Sequence, residues 1–366
     1  MTAPSHAVTV TQRTWGRAPD GVALDEIILS ACDGVSARIL SFGATLHSLS
    51  CPDSAGNKDD ILLGPTDPRD HVLERRFFGS TVGRAANRIA GSRFALDGCV
   101  YTLDANEAPH HLHGGVQGLD QKSWRLRSLH GGDTGEAVLE CISPHGEGGY
   151  PGTLKAEARF RLSVGGVMEI LYSAECDAPT ICNLTNHNVY NLCGSQSGSS
   201  IREHIITVAA DRFLPVRPDL IPTGERRAVA QTPFDLRLPR RVGDVLDNEH
   251  DEQLRVAHGV DHSFILPERH AGDAPDASLS DPISGRRLEL RTTSPAIQVY
   301  TGNFLSPAVI GKGARGYRPH DGICLEPQGY PNAPNEPLFP SIRLTPGDIY
   351  ENTIVLRLSA KMPDHD

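Results

Sequence analysis

Short stretches in which apolar and polar residues alternate run along most of this chain. The alternation repeats every two residues, which is the spacing of side chains that point to opposite faces of a β-strand. Clear examples lie at residues 37–40, 100–103, 137–141, 158–162, 168–172, 287–291 and 353–357. We therefore predict that β-strands account for most of the fold.

Pairs of residues that favour tight turns separate many of these stretches. They are Asp97-Gly98, Gly131-Gly132, Gly165-Gly166 and Ser284-Gly285. Such pairs connect neighbouring antiparallel strands in hairpins. The spacing predicts an all-β fold, built as an antiparallel sandwich or barrel, with only two short helical regions at residues 68–76 and 244–256.

The chain shows no internal boundary between domains. It contains no solenoid or propeller repeat, so we expect a single domain over residues 1–366 with its core at about 25–360. The polar segment at residues 273–282 is interpreted as a surface loop, since it is too short to be a linker and strand-like sequence resumes after it.

Charge and composition exclude several classes of function. The 366 residues include 35 Lys and Arg against 45 Asp and Glu, a net charge of −10, whereas a nucleic-acid surface needs clustered basic residues. No apolar stretch is long enough to span a membrane, and residues 1–20 lack the apolar segment of a signal peptide.

The eight cysteines form no Cys-x-x-Cys pair. We expect reduced thiols and a cytoplasmic protein without nucleic-acid or membrane partners.

A histidine-rich segment at residues 110–113 is the first candidate for chemistry. On an extended strand, His111 and His113 would project to the same face and form half of a metal site, as in cupin-like enzymes. The third ligand would be His187 or Glu326. Hydrogen-bonded histidines beside the following Gly-Gly turn are the structural alternative. We favour a substrate contact for His113.

Two further side chains are candidates for proton transfer. His187 lies among small polar residues at a strand end, an environment that would hold its pKa near the ordinary value and suit it to proton exchange at neutral pH. A structural histidine that ties the loop together is the alternative. Glu326 follows an apolar strand, where a carboxylate is costly unless it is paired or functional. We interpret it as a general base, and a salt-bridged edge residue as its alternative.

Other polar residues are of the kind that binds sugar hydroxyls. The guanidinium of Arg88, beside Asn87, can donate a forked pair of hydrogen bonds to sugar oxygens. Asp261 can accept hydrogen bonds from sugar hydroxyls. Gln298 lies inside a β-rich run and would need a partner if it is buried. The alternatives are a surface ion pair for Arg88 and a turn-capping role for Asp261. Asp261 and Glu326 together also fit a glycosidase carboxylate pair.

A series of segments, in order along the chain, resembles the aldose 1-epimerase (galactose mutarotase) family. The segments are GRAANRI at 83–89, HLHGG at 111–115 with KSW at 122–124, NLTNH at 183–187, VDH at 260–262, QVYTGNF at 298–304, LEPQ at 325–328 and PNAPN at 331–335. The resemblance extends from about Gly34 to Leu358. The ordered set is far more specific than any one segment.

The resemblance implies a fold, a reaction and roles for the residues. The fold would be a single large antiparallel β-sandwich of the galactose mutarotase type, with no metal or organic cofactor in the chemistry. Glu326 would act as general base and His187 as general acid, opening and closing the ring of a free aldose and so interconverting its α and β anomers. The monosaccharide would be bound by Asn87, Arg88, His113, Asp261 and Gln298.

Two alternatives stay within sugar chemistry. Asn188-Val189-Tyr190 differs from the aromatic-rich continuation that usually follows the family's histidine, which leaves the preferred sugar open. A ketose C4 epimerase would use a similar pocket, whereas a non-catalytic sugar-binding domain would not need both Glu326 and His187. For the assembly, we expect a monomer or a homodimer.

Overall fold

The computed structural model describes residues 7–18, 21–268 and 274–360. Within these residues, antiparallel strands form three large sheets and four two-stranded ones. The largest sheet has nine strands, in the order Arg125–His130, Thr134–Ser143, Leu154–Ser163, Val167–Cys176, Tyr350–Ala360, Arg286–Thr292, Ala277–Ser280, Ile205–Val208 and Arg240–Arg241. Every second residue of Leu154–Ser163 is buried, as a strand with one face on a core requires. The predicted all-β fold is confirmed.

The second sheet has five strands that follow one another along the chain. They are Val8–Arg17, Ala23–Ala31, Ser36–Leu40, Thr45–Pro52 and Lys58–Asp60. This sheet shares one apolar core with the nine-stranded sheet. Ile27 and Ile39 come from the five-stranded sheet, and Phe160 and Leu356 from the nine-stranded one. Two stacked sheets thus give the sandwich its interior.

The third sheet has six strands and carries most of the candidate chemistry. Their order is Val189–Tyr190, Ile323–Gln328, Ala296–Tyr300, Asp261–Ile265, Arg212–Leu214 and Arg227–Ala228. All six residues of Ile323–Gln328 are buried. Leu325 on this strand belongs to the same apolar core as the two other large sheets, so the strand that bears Glu326 is firmly anchored.

Four short strand pairs complete the fold, of which the first three join distant segments and the fourth is a local hairpin. They are Arg88–Ile89 with His111–Leu112, Thr81–Val82 with Thr185–Asn186, Thr180–Ile181 with Arg343–Leu344, and Arg93–Leu96 with Cys99–Thr102. The first pair brings the arginine and histidine segments together, and the second fixes the backbone just before His187.

The helices are few and short in the part of the chain that the structure describes. The α-helices are Asp70–Leu73, Val242–Leu246 and Glu252–Ala257, and the 3₁₀ turns are Ala90–Ser92, Leu119–Gln121, Glu147–Gly149, Ile201–Glu203, Lys312–Ala314 and Ala333–Asn335. Among the described residues, no helix has the length and apolar character needed to cross a membrane.

Two local predictions were wrong. The helical region predicted at 244–256 is two helices, because Asp251 caps a new one by accepting from the amides of Gln253 and Leu254. The polar segment interpreted as a loop contains the strand Ala277–Ser280. The Ser278 hydroxyl of this strand pairs with the neighbouring strand, where its Oγ lies 2.6 Å from Thr207 Oγ1. Asp273, the first residue of that segment, lies outside the described residues.

The shared core yields a stability prediction. Leu356→Ala removes a fully buried side chain at the centre of the nine-stranded sheet and should lower the free energy of unfolding by about 2–5 kcal/mol, because it leaves a cavity. Leu238→Ala, at a position 75% exposed, is the matched control and should change it by less than about 0.5 kcal/mol. Urea denaturation measures both. Equal effects would contradict this account of the core.

Candidate active site

The structure brings the predicted site residues together around one cavity. The cavity has a volume of about 250 Å³, just below the roughly 300–1,000 Å³ typical of sites for drug-sized ligands. Its walls include every residue predicted to bind or transform substrate: Asn87, Arg88, His113, His187, Asp261, Gln298 and Glu326. A monosaccharide is a ligand of suitable size.

Neighbouring strands of the six-stranded sheet position three of these side chains. Glu326 lies opposite Gln298 in the ladder, and Gln298 Nε2 donates to Asp261 Oδ1 at 2.7 Å. Glu326 is 2% exposed, and its Oε2 is buried without a hydrogen-bond partner among the described residues. A buried acceptor of this kind is costly unless a ligand uses it. Glu326 therefore offers a hydrogen-bond acceptor to a ligand in the cavity.

His187 faces Glu326 across the cavity. Its Nε2 lies 3.6 Å from Glu326 Oε1. The backbone fixes the residue firmly, because its amide donates to the Ser80 carbonyl at 2.9 Å and its carbonyl accepts from the Gly79 amide at 2.8 Å. The ring of Phe77 lies against the imidazole, with 5.9 Å between centroids.

Burial sets the protonation of this pair. It lowers the pKa of His187 to about 4, so the expectation of an ordinary pKa was wrong: the imidazole is enclosed rather than solvated. Burial also raises the pKa of Glu326 well above its usual range, and the nearby Asp261 carboxylate adds to the rise while Arg88 opposes it. Burial therefore favours the neutral form of both groups, a carboxylic acid at Glu326 and an imidazole at His187.

His113 is a fixed hydrogen-bond donor. Its Nδ1 accepts from the Asn87 amide at 3.1 Å, so the neutral ring carries its hydrogen on Nε2. Burial keeps it neutral by lowering its pKa well below the usual value. The chain turns here with a φ of 49° at His113, and the next residue, Gly114, must be glycine because a Cβ would lie 1.7 Å from the Gly83 carbonyl oxygen.

The paired-histidine hypothesis was wrong. His111 and His113 do not share a strand face, because the strand ends at Leu112 before the turn. His111 Nε2 instead lies 2.5 Å from the Tyr150 hydroxyl, and its Nδ1 lies 2.8 Å from the Asp104 carbonyl oxygen. His111 is therefore a structural residue, which was the alternative considered for this segment.

The remaining possible metal ligands are also poorly suited to a metal. His113, His187 and Glu326 offer atoms within 4.8 Å of one another. However, both nitrogens of His113 are committed, Nδ1 as an acceptor and Nε2 as the bearer of hydrogen. The second such group, Cys193 with His204 and Asp281, has the same defect, because the Leu192 amide donates to His204 Nε2. A metal ligand needs a free lone pair on nitrogen.

Arg88 is held between two carboxylates. Its Nε and Nη2 donate to Glu107 at 2.5 and 2.9 Å, and its Nη1 lies 3.9 Å from Asp261 Oδ2. The residue is 8% exposed, so the surface ion pair considered from the sequence does not describe it. Asn87 Oδ1 accepts from the Arg88 amide at 2.8 Å. The cation balances part of the negative charge around Glu326.

Sequence reasoning missed several residues of the cavity wall. They include Phe77, Glu107, Tyr300 and Phe304. The rings of Tyr300 and Phe304 stack at 6.3 Å, and the Phe304 amide donates to the Tyr300 hydroxyl at 2.8 Å. Both lie in the segment that holds Gln298, so their proximity to it was an available signal. Glu107 carries no local signal, since its role depends on a distant arginine.

Comparisons with known proteins identify the family of the chain. The family profile for aldose 1-epimerase matches residues 25–357. Galactose mutarotase from Sus scrofa is 41% identical over 346 residues, which cover 94% of this chain and 97% of that protein. Aldose 1-epimerase from Escherichia coli K12 is 34% identical, with coverage of 92% and 95%. The crystal structure of galactose 1-epimerase from Lactobacillus acidophilus NCFM has a TM-score of 0.84 at 30% identity, with coverage of 96% and 99%.

The depressed pKa of His187 predicts a pH effect on stability. Between pH 6.5 and about 4, this imidazole is protonated when the chain is unfolded but neutral when it is folded. Unfolding then takes up a proton, so the free energy of unfolding falls as the pH is lowered through this range. His187→Asn should make the fall between pH 6.5 and 4.5 shallower by about 2 kcal/mol. Urea denaturation at stepped pH tests this, and parallel curves for the two proteins would contradict it.

Proposed function

The chain belongs to the aldose 1-epimerase family and is a mutarotase, and we propose that Glu326 is its general base and His187 its general acid. The observation that carries the proposal is the 3.6 Å between Glu326 Oε1 and His187 Nε2. The substrate is a sugar, and we propose a free aldose whose C1 enters the space beside this pair.

The reaction requires two protons to move at one carbon. The anomeric hydroxyl oxygen and the ring oxygen are both bonded to C1, so a base and an acid must lie within a few ångströms of each other. Glu326 removes the proton of the anomeric hydroxyl while His187 protonates the ring oxygen. The C1–O5 bond breaks and a carbonyl forms at C1. Rotation about C1–C2 then lets the C5 hydroxyl attack the other carbonyl face, and the two proton transfers reverse.

The protonation of the pair matches this cycle. The cyclic sugar reacts with carboxylate and imidazolium, and ring opening leaves a neutral carboxylic acid and a neutral imidazole. Both states contain one proton, so turnover consumes none. Burial favours the second state, because it disfavours both charges. Each positioned proton transfer contributes roughly 10²–10⁴-fold to the rate.

The remaining polar residues bind and orient the sugar in this proposal. His113 Nε2 and the guanidinium of Arg88 donate to sugar oxygens, and Asp261 accepts from a hydroxyl. Gln298 Oε1 is buried without a partner among the described residues, so it accepts from another hydroxyl, and Asn87 completes the set. The aromatic rings at the cavity wall contact the apolar face of the sugar ring. These contacts need no metal or organic cofactor.

We further propose a cytoplasmic protein that acts as a single domain, as a monomer or a homodimer. Seven cysteines are free thiols, namely Cys51, Cys99, Cys141, Cys176, Cys182, Cys193 and Cys324, in keeping with a reducing compartment. The single-domain proposal is supported by the apolar core that the three large sheets share.

Polarimetry tests the reaction and the base together. The wild-type protein should accelerate mutarotation of at least one of freshly dissolved α-glucose, α-galactose, xylose and arabinose, without added metal. Glu326→Gln should reduce kcat by at least about 10²-fold while sugar binding survives, because an amide keeps the shape but cannot take the proton. A Glu326→Gln enzyme with near-normal kcat would return Asp261 to consideration as the base.

His187→Asn is the companion variant of that experiment. It should also lower kcat, and the double variant should be little worse than the poorer single one, because groups that act as a unit are not additive. Additive losses would show that the two residues act in separate steps.

The sugar contacts give a separate prediction. Arg88→Ala and Asp261→Ala should each lower kcat/KM by about 10- to 150-fold with the fold retained, which corresponds to a lost charged hydrogen bond of about 1.5–3 kcal/mol. Arg318→Ala, at an exposed arginine outside the cavity, is the matched control and should leave kcat/KM unchanged. Unchanged kcat/KM in both site variants would remove these residues from the sugar-binding set.

A further inference from the structure

Cys324 lies directly beside His187 and has no role in the steps described so far. Its Sγ is 3.8 Å from His187 Nδ1, within reach of a weak sulfur hydrogen bond. Cys324 and Glu326 are two residues apart on the strand Ile323–Gln328, so their side chains share one face. One strand face therefore presents both the proposed base and a thiol in contact with the proposed acid.

The proposed cycle places a demand on Nδ1 of His187. Nε2 gives and recovers the transferred proton, so Nδ1 must keep its own hydrogen throughout and needs an acceptor for it. The carbonyl oxygen of His187 itself is a second acceptor near the ring, and it is shared with the Gly79 amide at 2.8 Å. The Cys324 side chain packs in a buried apolar cluster that includes Leu63, Val189 and Val309. The sulfur is thus a side-chain acceptor that the fold places against Nδ1.

The charge on this acceptor matters as much as its position. Burial raises the pKa of the Cys324 thiol well above its usual value, and the carboxylates of Glu326 and Asp261 add to the rise. The sulfur therefore stays neutral. A carboxylate in the same place would stabilise the imidazolium and make it a weaker acid, whereas a neutral thiol orients the ring without that effect.

We propose that Cys324 is a positioning residue for the mutarotase reaction: its sulfur accepts the Nδ1 hydrogen of His187, directs Nε2 toward the ring oxygen of the sugar, and leaves the imidazolium a strong acid. The inference rests on the proposed role of His187 as general acid. It adds a third residue to the proton-transfer machinery, one that touches neither substrate nor base.

Three substitutions separate this role from packing. Cys324→Ala removes the acceptor, Cys324→Val removes it but fills the space, and Cys324→Ser keeps an acceptor. We expect Ala and Val to lower kcat about tenfold, the effect of roughly one hydrogen bond, with KM within about twofold of wild type, and Ser to retain most of kcat. Cys141→Ala, at a buried cysteine of the nine-stranded sheet, is the matched control and should leave kcat unchanged. Wild-type kcat in the Val variant would overturn the proposal and assign Cys324 to packing.

Nitrogen NMR of the imidazole provides a readout that does not depend on turnover. With His187 assigned by comparison with His187→Asn, the neutral ring of the wild-type protein should carry its hydrogen on Nδ1. Cys324→Ala should shift the population toward the Nε2–H form, and Cys324→Ser should restore it. A neutral wild-type ring without hydrogen on Nδ1 would overturn the proposal. If His187→Asn kept normal kcat, the acid assignment itself would fail, and this spectrum would still report separately on the contact with Cys324.

Discussion

The removal of one carboxylate and one imidazole from water is the constraint on which the active site depends. Burial disfavours the charged forms of both Glu326 and His187, so the two side chains do not form a permanent ion pair. A solvated pair would keep its carboxylate ionised near neutral pH and would bind water instead of a sugar. The packing of the surrounding sheets must therefore exclude water from both groups and hold them a few ångströms apart.

The fold solves that problem by separating its tasks. The nine- and five-stranded sheets hold most of the apolar interior. The six-stranded sheet extends that interior and directs polar side chains into the cavity. The strand Ile323–Gln328 belongs to both regions, since Leu325 points into the core and Glu326 into the cavity. A buried polar group is tolerable there because the core beneath it is large. The guanidinium of Arg88 then offsets some of the negative charge that would otherwise accumulate around Glu326.

Much of this arrangement can be predicted from the sequence. The parts that cannot be predicted depend on contacts between distant segments. Period-two alternation gives the strands, and Glu326 stands out because a carboxylate follows an apolar run. The turn at His113 is not visible, since nothing in the local pattern announces a left-handed backbone at a histidine. The low pKa of His187 depends on its burial, which includes contact with Phe77 more than a hundred residues away in the chain. The partnership of Arg88 with Glu107 depends on a loop contact. Local patterns report local geometry, whereas burial and pairing between distant segments are properties of the completed fold.

The position of the strand Tyr350–Ala360 has a consequence for how the molecule is made. It lies between Val167–Cys176 and Arg286–Thr292 near the middle of the nine-stranded sheet, yet it is the last described strand to leave the ribosome. Until then, two half-sheets present unpaired edges that can pair with other chains as readily as with each other. The nine-stranded sheet is therefore completed only when this strand pairs with both of its neighbours and joins the two halves.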